Sequence, residues 1–313
     1  GMSRAALAFI GLWVLLLLSG ENGFVALCHA MGTLSTSGIS PGEGLMPSRA
    51  GFTGEALMFG FLIFAVSRRT LPGVILVNRT EPLWKDPELR MALFILTLVT
   101  AVLFLRHWIA AIELEDGKDL PAFLRALWGA LFTALSFLTT TGYVSADWAS
   151  SRVWSGLQTP GMILLGLAIV GGGVATTAGG VKLLRVYALV RHGEREMERL
   201  IHPRSVGGSG QSARRLRREG AYLAWIFFMI FALSITLTIG VLGLLGLGFE
   251  QGMVLSIAAL TNTGPLAGIA VETPLHYGDL GAAAKIVLGA AMVLGRLEML
   301  AILALLAPGN WRR

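Results

Sequence analysis

Three short clusters of small polar residues interrupt an otherwise apolar chain: Ser35-Thr36-Ser37-Gly38, Thr139-Thr140-Thr141-Gly142 and Thr261-Asn262-Thr263-Gly264. Each follows a short apolar run, and each closes on glycine. A helix N-cap accounts for one threonine run, since threonine caps helices, but not for three in register. Stacked backbone carbonyls can replace the water shell of an ion. Such a filter takes an extended backbone, a glycine to relax its handedness, and small hydroxylated side chains as further ligands. The three clusters meet that specification. The C-terminal ends of the preceding helices would turn partial negative charge towards the cavity, which favours a cation. An anion pore would need rings of basic residues instead.

The surrounding composition is that of a lipid-soluble chain. Of 313 residues, 54% are hydrophobic and 14% charged, with a mean hydropathy of +0.70; soluble domains carry about 25% charged residues. The reading is an all-α polytopic membrane protein. One unit recurs three times: a long apolar run, a shorter run, a cluster, and a closing apolar run. The long runs are Ala5 to Leu18, Met91 to Ala111 and Ala221 to Leu247. The short runs are Phe24 to Leu34, Ala122 to Leu138 and Gln251 to Leu260. The closing runs are Gly54 to Val66, one starting near Trp154, and Ala282 to Leu306. A bilayer crossing takes about 20 residues, so the short runs are expected to enter halfway and return on the side they came from. Non-helical backbone at that depth must line water or be packed in protein. Gly38, Gly142 and Gly264, 104 and 122 residues apart, stand where the chain turns back.

These units divide the chain into pore repeats at 1–70, 91–192 and 220–313, joined by cytoplasmic linkers at 71–90 and 193–219. Following the spans puts eighteen basic residues on one side, against six on the other: Arg49, Arg106, Lys118, Arg125, Arg152 and Lys285. That asymmetry obeys the positive-inside rule, so the run Arg214 to Arg218 marks topology and not nucleic-acid binding. Eleven acids share the outer face with those six bases, a field that concentrates cations. A single cysteine, Cys28, excludes a disulfide framework and a thiolate metal cage. No Gly-rich phosphate loop is followed by Lys-Ser/Thr, and His29 has no nearby nucleophile in sequence. No cofactor and no enzymatic role are expected.

Two further constellations lie inside the spans. Gly171, Gly172, Gly173, Thr176, Thr177, Gly179 and Gly180 interrupt a closing run. Small residues allow close helix packing in membranes. Five glycines in ten residues, each costing a helix about 1 kcal/mol relative to alanine, favour a local unwinding at 171–180. Arg296 lies about 24 Å along its span at 1.5 Å per residue. It either snorkels to the inner interface with Glu298 or faces the pore axis, where an intramembrane arginine signals function.

The segments "CHAMGTLSTSGIS", "FLTTTGYVSADW" and "LTNTGPLAG" resemble the second, third and fourth filters of the TrkH family, in the Trk/Ktr/HKT superfamily of potassium transporters. "GGGVATTAGGVKLLRV", "RLIHPRSV" and "VLGRLEML" resemble further stretches of that family in the same order. The resemblance implies a potassium-channel-like fold of helix–pore loop–helix units, three here of an expected four. It implies potassium as the substrate, taken up through a carbonyl-lined filter across a bacterial plasma (inner) membrane. It assigns the filter to the three clusters. The glycine-rich stretch, with Lys182, becomes an intramembrane gating loop, and Arg296 a cation barrier below the filter. Val174-Ala175-Thr176-Thr177 departs from the family's Ala-Gly-Ser-Thr, and Ser37 stands where a glycine is usual.

The resemblance starts where Gly1-Met2 stands. The expectation is a C-terminal portion lacking the first pore repeat, which conducts little by itself because three quarters of a ring leaves one side open. The partners implied are that missing repeat, a second copy of the chain in a homodimer, and a cytosolic nucleotide-binding regulatory subunit of the TrkA kind. Two alternatives stand beside this reading: a secondary transporter with broken helices around a midplane sodium or potassium site, and a non-conducting fragment. An inverted repeat and an acidic coupling residue would mark the former, whereas the repeats here share one orientation.

Overall fold

The computed structural model describes residues 4–41, 49–66, 86–111, 120–155, 160–174, 176–201, 211–271 and 274–297. The protein is all-α, and no strand occurs among the described residues. The first unit comprises α1 (Arg4–Leu18), α2 (Gly23–Leu34) and α3 (Gly51–Leu62). The second comprises α4 (Pro87–Ala111), α5 (Leu120–Leu138), α6 (Trp148–Ser155) and α7 (Gly161–Val170). After α8 (Leu183–Ile201), the third comprises α9 (Gln211–Leu244), α10 (Phe249–Thr261), α11 (Leu266–Ile269) and α12 (Ala282–Arg296).

Among the described residues, three segments are long and apolar enough to cross a membrane: Pro87–Phe104, Pro121–Leu138 and Gly220–Leu244. Much of their surface faces outward; Phe94, Leu98, Leu233 and Leu237 are exposed. In a bilayer such side chains meet lipid instead of water, so their exposure carries no penalty.

One expectation about helix length changes. α2 and α10 have 12 and 13 residues, or about 18–20 Å, as a half-span requires. α5 has 19 residues, about 28 Å. Leu120 and Pro121 extend the run expected from 122, so this pore helix is a full-length one. Within the stretch read as a linker at 193–219, α8 runs on to Ile201 and α9 begins at Gln211. Arg191 pairs with Glu194 one turn on, a contact that supports helix locally. The glycines at 207–210 and Glu298 lie outside the described residues.

The pore helices are the interior of the molecule. α2 packs on α1 and α3; α5 on α4, α6 and α7; α10 on α9, α12 and α7. Fully buried small and apolar residues carry these contacts: Ala26 and Ala30 on α2, Ala130 and Ala134 on α5, Ala258 and Ala259 on α10. Alanines let the surrounding helices approach closely, and that brings the three C-terminal ends together.

Candidate functional site

All three pore helices end in the same way. Thr36, Thr140 and Asn262, each the second residue of its cluster, have φ of 49°, 57° and 56°. The N–H of each donates to the carbonyl three residues back: Thr36 to Thr33, Thr140 to Phe137, Asn262 to Ala259, at 3.1–3.3 Å. The next N–H donates five residues back: Ser37 to Gly32, Thr141 to Ser136, Thr263 to Ala258, at 2.9–3.0 Å. This is a Schellman ending, usually built on glycine. Here β-branched threonine takes the left-handed place twice, a strained choice of the kind that clusters at functional sites. Among the described residues, Thr36, Thr140, Asn262 and Lys182 are the non-glycine residues with positive φ; all four belong to the clusters or to the glycine-rich loop.

The flanking hydroxyls are equally regular. Ser35, Thr139 and Thr261 donate to the carbonyls of Met31, Leu135 and Ile257 at 2.7–3.0 Å. Each lies within 2.9–3.1 Å of the hydroxyl two residues on, at Ser37, Thr141 and Thr263. These side chains brace the turn internally. Their backbone is less satisfied: among the described residues, the carbonyls of Thr36, Ser37, Thr139, Thr141 and Asn262 accept no hydrogen bond from protein. Thr36, Thr139 and Thr141 are buried and Ser37 and Asn262 half-buried; buried carbonyls are rarely left so.

The clusters touch one another. A Cβ built on Gly38 would lie 1.9 Å from the Thr141 carbonyl oxygen and 3.5 Å from the Pro265 ring. One built on Gly142 would lie 3.0 Å from Pro265 and 3.2 Å from Thr263 Cγ2. Gly38 and Gly142 are left-handed, with φ of +60° and +85°. Gly264 differs from expectation: its φ lies outside that region, and a Cβ there would meet nothing within 4 Å. The left-handed step common to all three clusters therefore falls two residues before the glycine, and at Asn262 the third unit makes it with asparagine, which tolerates that conformation.

Beneath the clusters the described residues between Gly171 and Lys182, from the end of α7 to the start of α8, are non-helical. Gly171 and Gly180 are left-handed, and their backbones approach so closely that a Cβ on Gly171 would meet the Gly179 carbonyl at 2.2 Å. The stretch reaches every cluster. Thr177 Oγ1 lies 2.9 Å from Thr36 Oγ1; the Gly179 N–H donates to Thr140 Oγ1 at 2.6 Å; and Gly179 packs against the Thr261 carbonyl. Two of the three left-handed residues thus point their side chains at the loop. The third, Asn262, donates to Met292 O on α12 at 3.1 Å. Two cationic side chains cover successive loop carbonyls. Lys182 Nζ donates to Thr176 O at 3.2 Å and also to Ala178 O, and Arg296 donates to Thr177 O at 2.7 Å. Gly172 and Gly173 pack at Ala65, whose carbonyl accepts the Gly173 N–H at 3.0 Å, and Thr176 Oγ1 donates to Gly173 O at 2.6 Å.

The sequence reading passed over several supporting residues. Glu55, on α3, is buried and accepts from Trp128 Nε1, Ser145 Oγ and the Ala146 N–H at 2.7–2.9 Å. It brackets the irregular segment that leaves the second cluster, yet in sequence it was one outer acid among eleven. Tyr143 donates to Ile39 O at 3.1 Å, tying the exits of the first two clusters, and His29 packs edge-on against it. Tyr277 donates to Gly264 O at 3.2 Å; partial burial pushes its phenol up to about 12, so it keeps its proton near neutral pH. Glu88, on α4, accepts the Val174 N–H at 3.0 Å. Asp86-Pro87-Glu88, an acidic cap followed by proline at the first helical position, was a legible helix start within the stretch read as linker. Among the described residues no group of three or more His, Cys, Asp or Glu could hold a metal ion.

Comparison with known proteins agrees with this architecture. The family model described as TrkH, cation transport protein, matches residues 17–312. The chain is 32% identical to the Trk system potassium uptake protein TrkH of Vibrio parahaemolyticus, over 94% of this chain and 58% of that protein. It is 29% identical to the Trk system potassium uptake protein TrkG of Escherichia coli, over 94% and 58% respectively. The crystal structure of the potassium transporter TrkH from Vibrio parahaemolyticus superimposes with a TM-score of 0.74 at 28% identity, covering 97% of this chain and 63% of that one. The chain thus spans a little under two thirds of the relatives it matches.

Two predictions follow from the packing of the clusters. Gly38→Ala and Gly142→Ala should lower the melting temperature of the detergent-solubilised protein, since a left-handed alanine alone costs about 1–2 kcal/mol and each new methyl is crowded. Gly264→Ala should leave it close to wild type; equal losses at all three positions would contradict the asymmetry. Glu55→Gln keeps the shape but replaces one acceptor oxygen with a donor, opposing one of the three donors around it. It should cost about 1–3 kcal/mol in denaturant unfolding, while Glu250→Gln, at an exposed acid, should change nothing measurable.

Proposed function

The chain belongs to the TrkH family of cation transport proteins, and from that premise we propose that its three clusters line a potassium path closed from below by the Gly171–Lys182 loop. The observation that carries this reading is a set of carbonyls without a protein donor, those of Thr36, Thr139 and Thr141 in buried residues and those of Ser37 and Asn262 in half-buried ones, at three helix endings that share one turn and touch one another. Peptide oxygens in a dry site need a partner, and a dehydrated monovalent cation supplies one. The helix C-termini add partial negative charge at the same place. Ser35, Thr36, Ser37, Gly38, Thr139, Thr140, Thr141, Gly142, Thr261, Asn262, Thr263 and Gly264 form the filter in this reading. Their hydroxyls serve as braces, and the carbonyls as the ligands.

Below the filter, the cationic groups of Lys182 and Arg296 occupy loop carbonyls that would otherwise welcome the ion. A fixed positive charge on the path repels a permeating cation until the loop shifts. The relatives are potassium uptake proteins of a Trk system, which supports uptake in company with other Trk components; the bacterial inner membrane is the proposed location. A cytosolic nucleotide-binding subunit of the TrkA kind would act from the side of α8, and a homodimer is the proposed assembly. A fourth pore unit, beyond the three described, completes the ring.

Rubidium uptake in potassium-uptake-deficient cells tests the reading, with the chain expressed together with the N-terminal part of the Vibrio relative. Uptake should be blocked by potassium and much less by sodium. Arg296→Ala should raise it several-fold, because both the barrier charge and the bond to Thr177 O are removed. Well-inserted protein without rubidium uptake sinks the transport reading, and unchanged uptake in Arg296→Ala removes the barrier role.

A further inference from the structure

We infer that Glu88 is a positioning residue of this gate, holding the loop shut through the N–H of Val174. The inference rests on the reading of residues 171–182 as the gate, and it adds a residue to which no role was assigned.

The hydrogen bonds of the loop single it out. Most loop N–H groups donate within the loop or back to its flanking helices: Gly171 to Leu167, Thr176 to Gly173, Val181 to Ile169, Lys182 to Val170 and Leu183 to Gly172. Three leave the loop for other elements: Gly173 to Ala65 O, Val174 to Glu88 Oε1 and Gly179 to Thr140 Oγ1. Ala65 offers a backbone oxygen, and Thr140 belongs to the filter itself. Glu88 is the remaining acceptor, a side chain from an element that takes no part in the filter.

Its setting suits a latch. The residue is wholly buried, so water does not readily replace the carboxyl as acceptor. It stands in the first turn of α4, where Asp86 Oδ1 accepts its N–H at 3.1 Å. That cap fixes the start of the helix, and with it the carboxyl. Val174 and its neighbour Gly173 are thereby held on α4 and on the end of the first unit at once. On the opposite arm of the loop Arg296 holds Thr177 O from α12. A shift of the α4 start relative to the rest would release one arm without touching the filter.

The test compares Glu88→Ala and Glu88→Gln in the full chain, reading hydrogen–deuterium exchange of the loop peptide together with rubidium uptake in the assay above. Glu88→Ala should speed exchange of the loop amides about tenfold, the worth of one hydrogen bond, and raise uptake several-fold with the preference for potassium over sodium unchanged. Glu88→Gln, whose amide oxygen still accepts, should restore both towards wild type. Unchanged loop exchange in folded Glu88→Ala overturns the inference, as does equal behaviour of the two variants. If Glu88→Ala does not give a folded protein, Glu88→Asp withdraws the acceptor by one methylene, and unchanged exchange there is equally decisive. Exchange is measured without ion flux. Faster exchange in a protein that never transports sinks the transport reading and keeps the latch; slow exchange in a transporting protein sinks the latch alone.

Discussion

A helix that stops inside an apolar medium leaves carbonyl groups that water does not reach, and each must find a partner or stay costly. This protein has three such endings at one place. Each is closed by the same left-handed turn, which returns two N–H groups to the final carbonyls and turns the chain sharply. The turn settles the helix and exposes the next carbonyls. In the proposed reading filter and fold are one device: the step that ends each helix also leaves carbonyls free of protein donors for an ion.

The left-handed residue does a second job. At Thr36 and Thr140 its side chain reaches the loop below, and at Asn262 it reaches α12. A glycine would ease the backbone but offer no side chain. Threonine and asparagine accept strain of about 1–2 kcal/mol in exchange for a contact between the carbonyl clusters and what lies beneath. Because the loop meets every cluster, a change in its position would be felt by all three together. The proposed gating role needs a contact of this kind, one that acts on all three clusters and not on one alone.

Buried acids provide the remaining framework. Glu55 collects three donors behind the second cluster, and Glu88 takes one from the loop. Each belongs to a different unit, or a different part of the unit, from the backbone it holds. They cross-brace elements far apart in sequence, and satisfied polar contacts of this kind specify a single arrangement more sharply than apolar packing does.

Composition and the positive-inside asymmetry were enough to read an all-α membrane protein, because bilayer length and backbone satisfaction leave few other solutions, and the recurrence of run and cluster picked out three helix endings that share one turn. The break in the helix at 171–180 was legible for a similar local reason: that density of glycine does not sustain a helix. The sequence could not tell that Gly264 is not left-handed, that α5 runs to full length, or that the cluster hydroxyls bond inward. Those outcomes depend on which surfaces meet. Glu55 and Glu88 were invisible as functional residues because an acid in a sequence carries no sign of its donors. Only the tertiary structure brings Trp128, Ser145 and Ala146 to one carboxyl and Val174 to the other, since hydrogen bonds between distant segments are fixed by packing and not by spacing.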